Sequence, residues 1–198
     1  MAYLPSAPII PPDILLEAYF RGAFPMADSR DGEIAWYTAD PRGVIPLNEF
    51  HIPERLRRDL RRRPFEVTVN HCFETVMRSC GDRPDTWISE EMVESYAELH
   101  RLGYAHSVES WMDGSLVGGL YGVSIRGAFF GESMFHRVPN ASKAALVFLL
   151  QRLRERSYRL LDTQMVTPIM RQFGAQEISS TEYVRRLAES LRTDCHFG

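Results

Sequence analysis

The dipeptide Asp113-Gly114 stands between two alternating runs, residues 104–112 and 115–125, and this arrangement constrains the fold more than any other feature of the chain. A two-residue hairpin turn needs positive φ at its centre, which Asp and Gly tolerate, so the two runs are expected to pair as antiparallel strands. Arg126-Gly127 offers a second turn before an apolar strand at 128–133. A long helix is expected from Asn140 to about Arg156, then a strand at 159–163, a helix near 167–173 ended by Gly174, and a strand at 175–178. Ser179-Ser180-Thr181-Glu182 fits a capping box for a last helix over about 180–191. An antiparallel sheet that passes into a strand–helix–strand unit is an α+β arrangement. It is compatible with an N-acetyltransferase-like fold, although order alone does not assign chemistry.

Upstream of the hairpin the signals are weaker. A first helix is expected from Asp13, as N-cap after two prolines, to Gly22 as the residue that ends it. Phe24-Pro25, Asp31-Gly32 and Asp40-Pro41-Arg42-Gly43 mark turns and short strands. Ile52, Leu56 and Leu60 recur every four residues in the segment from Pro53 to Arg63, which makes it a short amphipathic helix with an arginine-rich face. Phe65–Val69 alternates as a half-buried strand, followed by helices at 71–79 and 89–102, the latter capped by Ser89 and stopped at Gly103. We therefore expect a small N-terminal lobe, residues 1–63, with the basic helix at its end, and a larger domain at 64–198.

At 198 residues the chain can bury a real core. MAYLPSAPIIPPD has no basic n-region and its prolines break a helix, and no stretch approaches a membrane span; a cytoplasmic protein without membrane contact is the expectation. Cys72, Cys80 and Cys195 form no C-x-x-C pair and are expected to be reduced and structural. The net charge of −3 argues at first against a nucleic-acid partner, but its distribution matters more. Lys143 is the only lysine, and six arginines (Arg55, Arg57, Arg58, Arg61, Arg62 and Arg63) crowd one short helix. Such a face fits phosphate contacts, and equally a solvated helix surface.

Three blocks could carry chemistry. In FFGESMFHRVPNASKAA (129–145), Glu132 lies among Phe129, Phe130, Met134 and Phe135. If buried there, its carboxylate needs a cationic ligand or an arginine partner; otherwise it is a solvated strand end. Asn140-Ala141-Ser142 opens the long helix, where free N–H groups accept a cap or an anion. Asp162 and Gln164 are two apart at a strand end, so alternation sends both to one face as a small polar site, and the same pattern serves as an ordinary strand end. Trp87, just before the Ser89 cap, fits either a core position or a platform for a base. There is no G-x-G-x-x-G, Walker A loop, H-E-x-x-H or G-x-S-x-G, and the six histidines show no ligand spacing.

Taken together, AYFRGAFP (18–25), WYTADPRGV (36–44), the basic segment from His51 to Pro64, TWI (86–88), YAELHRLGYAHSVESW (96–111), LVGGLYGV (116–123), FFGESMFHRVPNASKAAL (129–146) and LLDTQ (160–164) resemble the bacterial leucyl/phenylalanyl-tRNA–protein transferases. The resemblance spans about residues 14–190. It implies a small N-terminal lobe, an acetyltransferase-like C-terminal domain, and transfer of Leu or Phe from aminoacyl-tRNA to an N-terminal Arg or Lys, which marks the acceptor for degradation. It further implies Asp162 and Gln164 as the catalytic pair and Glu132 in acceptor binding. Trp87, Phe129, Leu120, Leu149 and Ser142 are implied around the aminoacyl-adenosine, and the Arg55–Arg63 face on tRNA phosphates. No cofactor or metal is implied, and a monomer is expected. Where typical relatives carry a tryptophan after the early FP, this chain has Met26, and Leu120 and Leu149 stand where close relatives carry Met and Phe.

Two other functions use the same features. A CoA-dependent N-acetyltransferase would present a Q/R-x-x-G-x-G/A loop at the long helix, whereas Arg137–Ser142 contains no glycine for close pyrophosphate approach. A non-catalytic RNA-binding module would need the arginine helix and Trp87 but gives Asp162, Gln164 and Glu132 no purpose.

Overall fold

The computed structural model describes residues 9–198; the first eight residues, which begin the proline-rich segment discussed above, lie outside them. Helix α1 (Pro12–Phe20) starts differently from expectation. Pro11 holds the cap position without a side-chain bond and Asp13 lies inside the first turn, because the two prolines preset the entry angle. Gly22 ends the helix with φ of 76°. Strands β1 (Phe24–Met26) and β2 (Ala35–Tyr37) form a small antiparallel ribbon. Strand β3 (Arg42–Ile45), which lies within residues 1–63, enters the large sheet.

Helix α2 (Glu54–Arg62) carries the arginine face and buries Leu56; strand β4 (Glu66–Val69) and helix α3 (Phe73–Cys80) follow. Helix α4 (Glu90–Arg101) is capped as expected, with Ser89 Oγ accepting from the Met92 N–H at 3.2 Å. The hairpin forms from β5 (Ala105–Met112) and β6 (Ser115–Ile125), and Asp113 and Gly114 both adopt positive φ. Strand β7 (Ala128–His136) runs three residues past its expected end, so the whole GESMF block lies on it. Helix α5 (Ala141–Glu155) leads to β8 (Leu160–Gln164), and short α6 (Pro168–Arg171) and β9 (Gln176–Ile178) precede α7 (Ser180–Ser190), capped by Ser179 Oγ.

The seven-stranded sheet has the order β4-β5-β6-β7-β8-β3-β9, and only β7 and β8 are parallel. This is the α+β arrangement expected, with helices on both faces. Leu15, Tyr19, Val76, Met77, Tyr96 and Leu187 from α1, α3, α4 and α7 fill one face; Leu56, Leu146, Leu149, Leu150 and Leu153 from α2 and α5 fill the other.

Two glycines are required by close approach. A Cβ at Gly118 of β6 would stand 2.5 Å from Ala141 Cβ and 2.9 Å from Ser142 N, so the first turn of α5 can lie on the sheet only because residue 118 has no side chain. A Cβ at Gly43 would lie 2.6 Å from the carbonyl carbon of Met165, where the chain leaving β8 folds back over β3.

Candidate active site

The parallel register between β7 and β8 runs from Ala128↔Leu160 to Phe130↔Asp162 and then stops. Beyond it β7 stays paired with β6, while Gln164 pairs across to Gly43 of β3, past a register shift. The two strands diverge, and a cavity of about 700 Å³ opens between them. Gly131–Met134 and Thr163–Met165 line it, together with Leu146 and Leu149 of α5 and with Phe24, Met26 and Trp87. Most of the lining is apolar.

The polar floor rests on a buried ion pair. Arg42 and Asp162 are 1% and 0% exposed, and the guanidinium meets the carboxylate through Nε at 2.9 Å and Nη2 at 2.6 Å. Tyr183 Oη donates to the same carboxylate at 2.6 Å, and the Gln164 N–H donates to Asp162 Oδ1 at 2.8 Å. Arg42 also donates to the Gly22 carbonyl at 3.0 Å and is flanked by the rings of Phe24 and Tyr183, 4.9 and 4.5 Å from its Cζ. Burial works against the Arg42 charge, but the bonds and charge of Asp162 outweigh it and raise its pKa.

Glu132 has a different environment. Its Oε1 accepts from Tyr19 Oη at 2.7 Å and from Gln164 Nε2 at 3.4 Å, and Tyr19 Oη lies 2.5 Å from Tyr96 Oη. Among the described residues it forms no ion pair: Arg42 is bound to Asp162, and Arg83, which lines the same cavity, makes none with it. Burial, only partly opposed by the Tyr19 bond, and the nearby Asp162 charge push the Glu132 carboxyl up to about 8. A cation entering this end of the pocket would supply the missing partner.

Of the residues named from the sequence, Glu132, Gln164, Trp87, Leu120, Leu149 and Ser142 all line the one cavity. Asp162 does not reach it. The carboxylate holds the backbone of Gln164, not its amide, and Gln164 turns out of strand geometry with φ of 55°, which breaks the alternation on which a shared face was expected. Phe129 is a second correction: fully buried, it packs at 5.1 Å from Phe197 behind the cavity wall instead of lining it. Asn140 is a third. It takes a left-handed conformation, makes no cap bond and sends its amide to Asp59 of α2 at 3.4 Å, which ties the arginine helix to the start of α5.

The six arginines from Arg55 to Arg63 are all exposed, and among the described residues only Arg57 of the six makes an ion pair, with Glu54. A second hollow, about 240 Å³, lies between Arg62, Arg63 and Asn140. Tyr121 and Arg83 line the cavity and were not foreseen, nor were Arg42, Tyr19, Tyr96 and Tyr183, which support it from outside the lining through partners elsewhere in the chain. The three cysteines are free, and burial pushes Cys80 up to about 12, as suits a structural thiol. Among the described residues no cluster of His, Cys, Asp or Glu could hold a metal, and no helix is long and apolar enough to cross a membrane.

A mixed sheet whose diverging parallel strands expose a carboxyl and an amide at one end of an apolar cavity defines a binding site for a small, largely apolar group. The sequence profile described as leucyl/phenylalanyl-tRNA protein transferase matches residues 44–188, and that of the N-terminal domain of these proteins matches residues 10–40. The leucyl/phenylalanyl-tRNA–protein transferase of Paramagnetospirillum magneticum is 53% identical over 93% of this chain and 91% of its own length. That of Gloeobacter violaceus is 52% identical over 94% and 96%. The chain belongs to the leucyl/phenylalanyl-tRNA–protein transferase family. Among solved structures, L-PGS from Bacillus licheniformis aligns at 13% identity and a TM-score of 0.45, over 76% of this chain and 49% of the other.

The unpaired carboxyl has a measurable signature. With a folded-state pKa of about 8 against an ordinary 4.5, Glu132 gives up its proton more easily in the unfolded chain, so its contribution to stability falls as pH rises between those values. Glu132→Gln should therefore unfold at the same urea concentration as the parent at pH 4.5 and at a higher one at pH 9. A difference that stays flat across this window would mean the carboxyl is not buried without a partner.

Proposed function

We propose that this cavity is where the family's reaction takes place, a leucyl or phenylalanyl group passing from its tRNA ester to the N-terminal amine of an acceptor protein. The observation that carries the assignment is Glu132: a half-buried carboxyl without a cationic partner, within hydrogen-bond reach of Gln164, at the polar end of an otherwise apolar cavity. It is the place for the cationic side chain of an acceptor that begins with Arg or Lys. The apolar wall of Leu120, Leu146 and Leu149 suits a Leu or Phe side chain. Trp87, which lines the cavity together with Phe24 and Met26, offers the terminal adenine a stacking surface, and Ser142 in the first turn of α5 lines the same space.

An aminoacyl ester is already activated, so alignment and stabilisation of the oxyanion suffice, with no covalent intermediate. The acceptor nitrogen bonds to the ester carbonyl carbon, the C–O bond to ribose breaks, and the proton leaving the amine ends on the ribose oxygen. An α-amine has a pKa near 8, so about a tenth is neutral at pH 7 without any enzymic base. The Gln164 side-chain oxygen is suited to hold the amine's N–H while its Nε2 stays on Glu132. Asp162 acts as a positioning residue, through the backbone of Gln164. The exposed arginines of α2, joined to α5 by the Asp59–Asn140 contact, would meet acceptor-stem phosphates. A monomer that works in the cytoplasm, where aminoacyl-tRNA is used, completes this reading.

Acetyl transfer from CoA is disfavoured by the start of α5, where Asn140 occupies the left-handed position and no glycine lets a pyrophosphate approach. Gln164→Ala is expected to lower transfer of labelled Leu from Leu-tRNA to an Arg-initiated peptide by at least a hundredfold while tRNA affinity stays within twofold; full turnover would remove Gln164 from the reaction. Arg57→Glu combined with Arg61→Glu should weaken tRNA binding and flatten its dependence on salt by roughly one to two units of log–log slope. Unchanged affinity would leave the arginine face merely solvated.

A further inference from the structure

Three tyrosines from three elements surround the inner side of Glu132: Tyr19 of α1, Tyr96 of α4 and Tyr121 of β6. Two of their hydroxyls are used, since Tyr19 and Tyr96 bond to one another and Tyr19 bonds to Glu132. The third is not. Among the described residues, Tyr121 Oη is the one buried side-chain polar atom without a hydrogen-bond partner, although the residue is fully buried and lines the cavity. Its ring is held edge-on by Phe73 at 6.0 Å and by Tyr96 at 5.8 Å, so the hydroxyl cannot swing away to find a partner. Folded proteins satisfy the great majority of buried polar groups, so an orphan hydroxyl beside a cavity calls for a partner atom from what fills that cavity, water or ligand. Burial first, and then the neighbouring Glu132 charge, raise the Tyr121 pKa well above 10, so the hydroxyl remains a neutral donor and acceptor.

The strand order says which part of the acceptor would meet it. Gln164 lies on β8, Glu132 on β7 and Tyr121 on β6, three adjacent strands, with Tyr121 opposite Ser133 in the β6–β7 register. In the sheet order, therefore, the strand of Glu132 lies between those of Tyr121 and Gln164. An acceptor whose α-amine sits at Gln164 points its side chain past Glu132 towards Tyr121. A guanidinium can give two N–H groups to Glu132 and still present others. We propose that Tyr121 is a specificity-determining residue for the acceptor, its hydroxyl oxygen receiving an N–H of the cationic first side chain beyond Glu132.

This rests on the assignment of Glu132 to the acceptor, and Tyr121→Phe tests it while keeping the ring packing. Transfer from Leu-tRNA to peptides that begin with Arg or with norleucine, and are otherwise identical, should show KM for the Arg peptide raised about tenfold, the size of one lost hydrogen bond to a charged group. The preference for Arg over norleucine should fall by the same factor, while kcat and the KM for Leu-tRNA stay within twofold. The thermal midpoint should be unchanged or higher, because an unpaired hydroxyl is removed. An Arg-peptide KM within twofold of the parent, equal losses on both peptides, or a lowered midpoint would each overturn the role. Glu132→Gln run in parallel separates the two failures. If it loses the Arg preference and Tyr121→Phe does not, only Tyr121 is wrong; if it keeps that preference, the acceptor assignment fails and this proposal with it.

Discussion

The buried pair of Arg42 and Asp162 is the interaction on which the rest of the site depends. Two charges removed from water on this scale stabilise a fold only when geometry and further hydrogen bonds offset their desolvation. Here the carboxylate accepts from the guanidinium, from Tyr183 and from the Gln164 N–H, and the guanidinium is flanked by two rings and bonded to Gly22. One ion pair thus joins the segment after α1, strand β3, the end of β8 and helix α7. It also determines what Glu132 is not: a partner of Arg42. That allocation neutralises Asp162 inside the protein and leaves Glu132 without a cationic partner among the described residues.

The divergence of β7 from β8 turns this anchor into a cavity. Parallel strands held by a crossover helix pair only as far as residue 130 on one and 162 on the other, and everything chemical lies just past that point. Gln164 can leave strand geometry because Asp162 holds its N–H and because Gly43 lets the chain fold back across β3. Gly118 brings the first turn of α5 against β6, which places Ser142 on the same cavity. The aromatic rim and the arginine helix are attached to this frame from the N-terminal half. The structure is continuous there, since β3 lies inside the sheet.

What could be read from the sequence was local chemistry. The Asp113-Gly114 hairpin and the Ser89 and Ser179 caps form where expected, because a turn or cap needs only its own few residues to agree. Glu132, Gln164, Trp87, Leu120, Leu149 and Ser142 all line the cavity, and it was the resemblance to the transferase family, not their spacing alone, that pointed to them. Long-range partnerships were not legible. Arg42 finds Asp162 120 positions away, and nothing in Asp40-Pro41-Arg42-Gly43 distinguishes a core cation from an exposed turn residue. Phe129 was misplaced for the same reason, since its burial depends on Phe197 near the far end of the chain. Alternation failed at Gln164 because one left-handed residue cancels a period-two pattern.

The most direct test of this account is a double-mutant cycle on the buried pair, measured by urea denaturation of Arg42→Met, Asp162→Leu and the combined variant. If the cost of each single change is a stranded charge, Arg42→Met and Asp162→Leu should each lose about 3–5 kcal/mol, and the double variant should recover much of that loss. Single losses below about 1 kcal/mol, or a double loss equal to the sum of the two, would contradict the central place given to this pair.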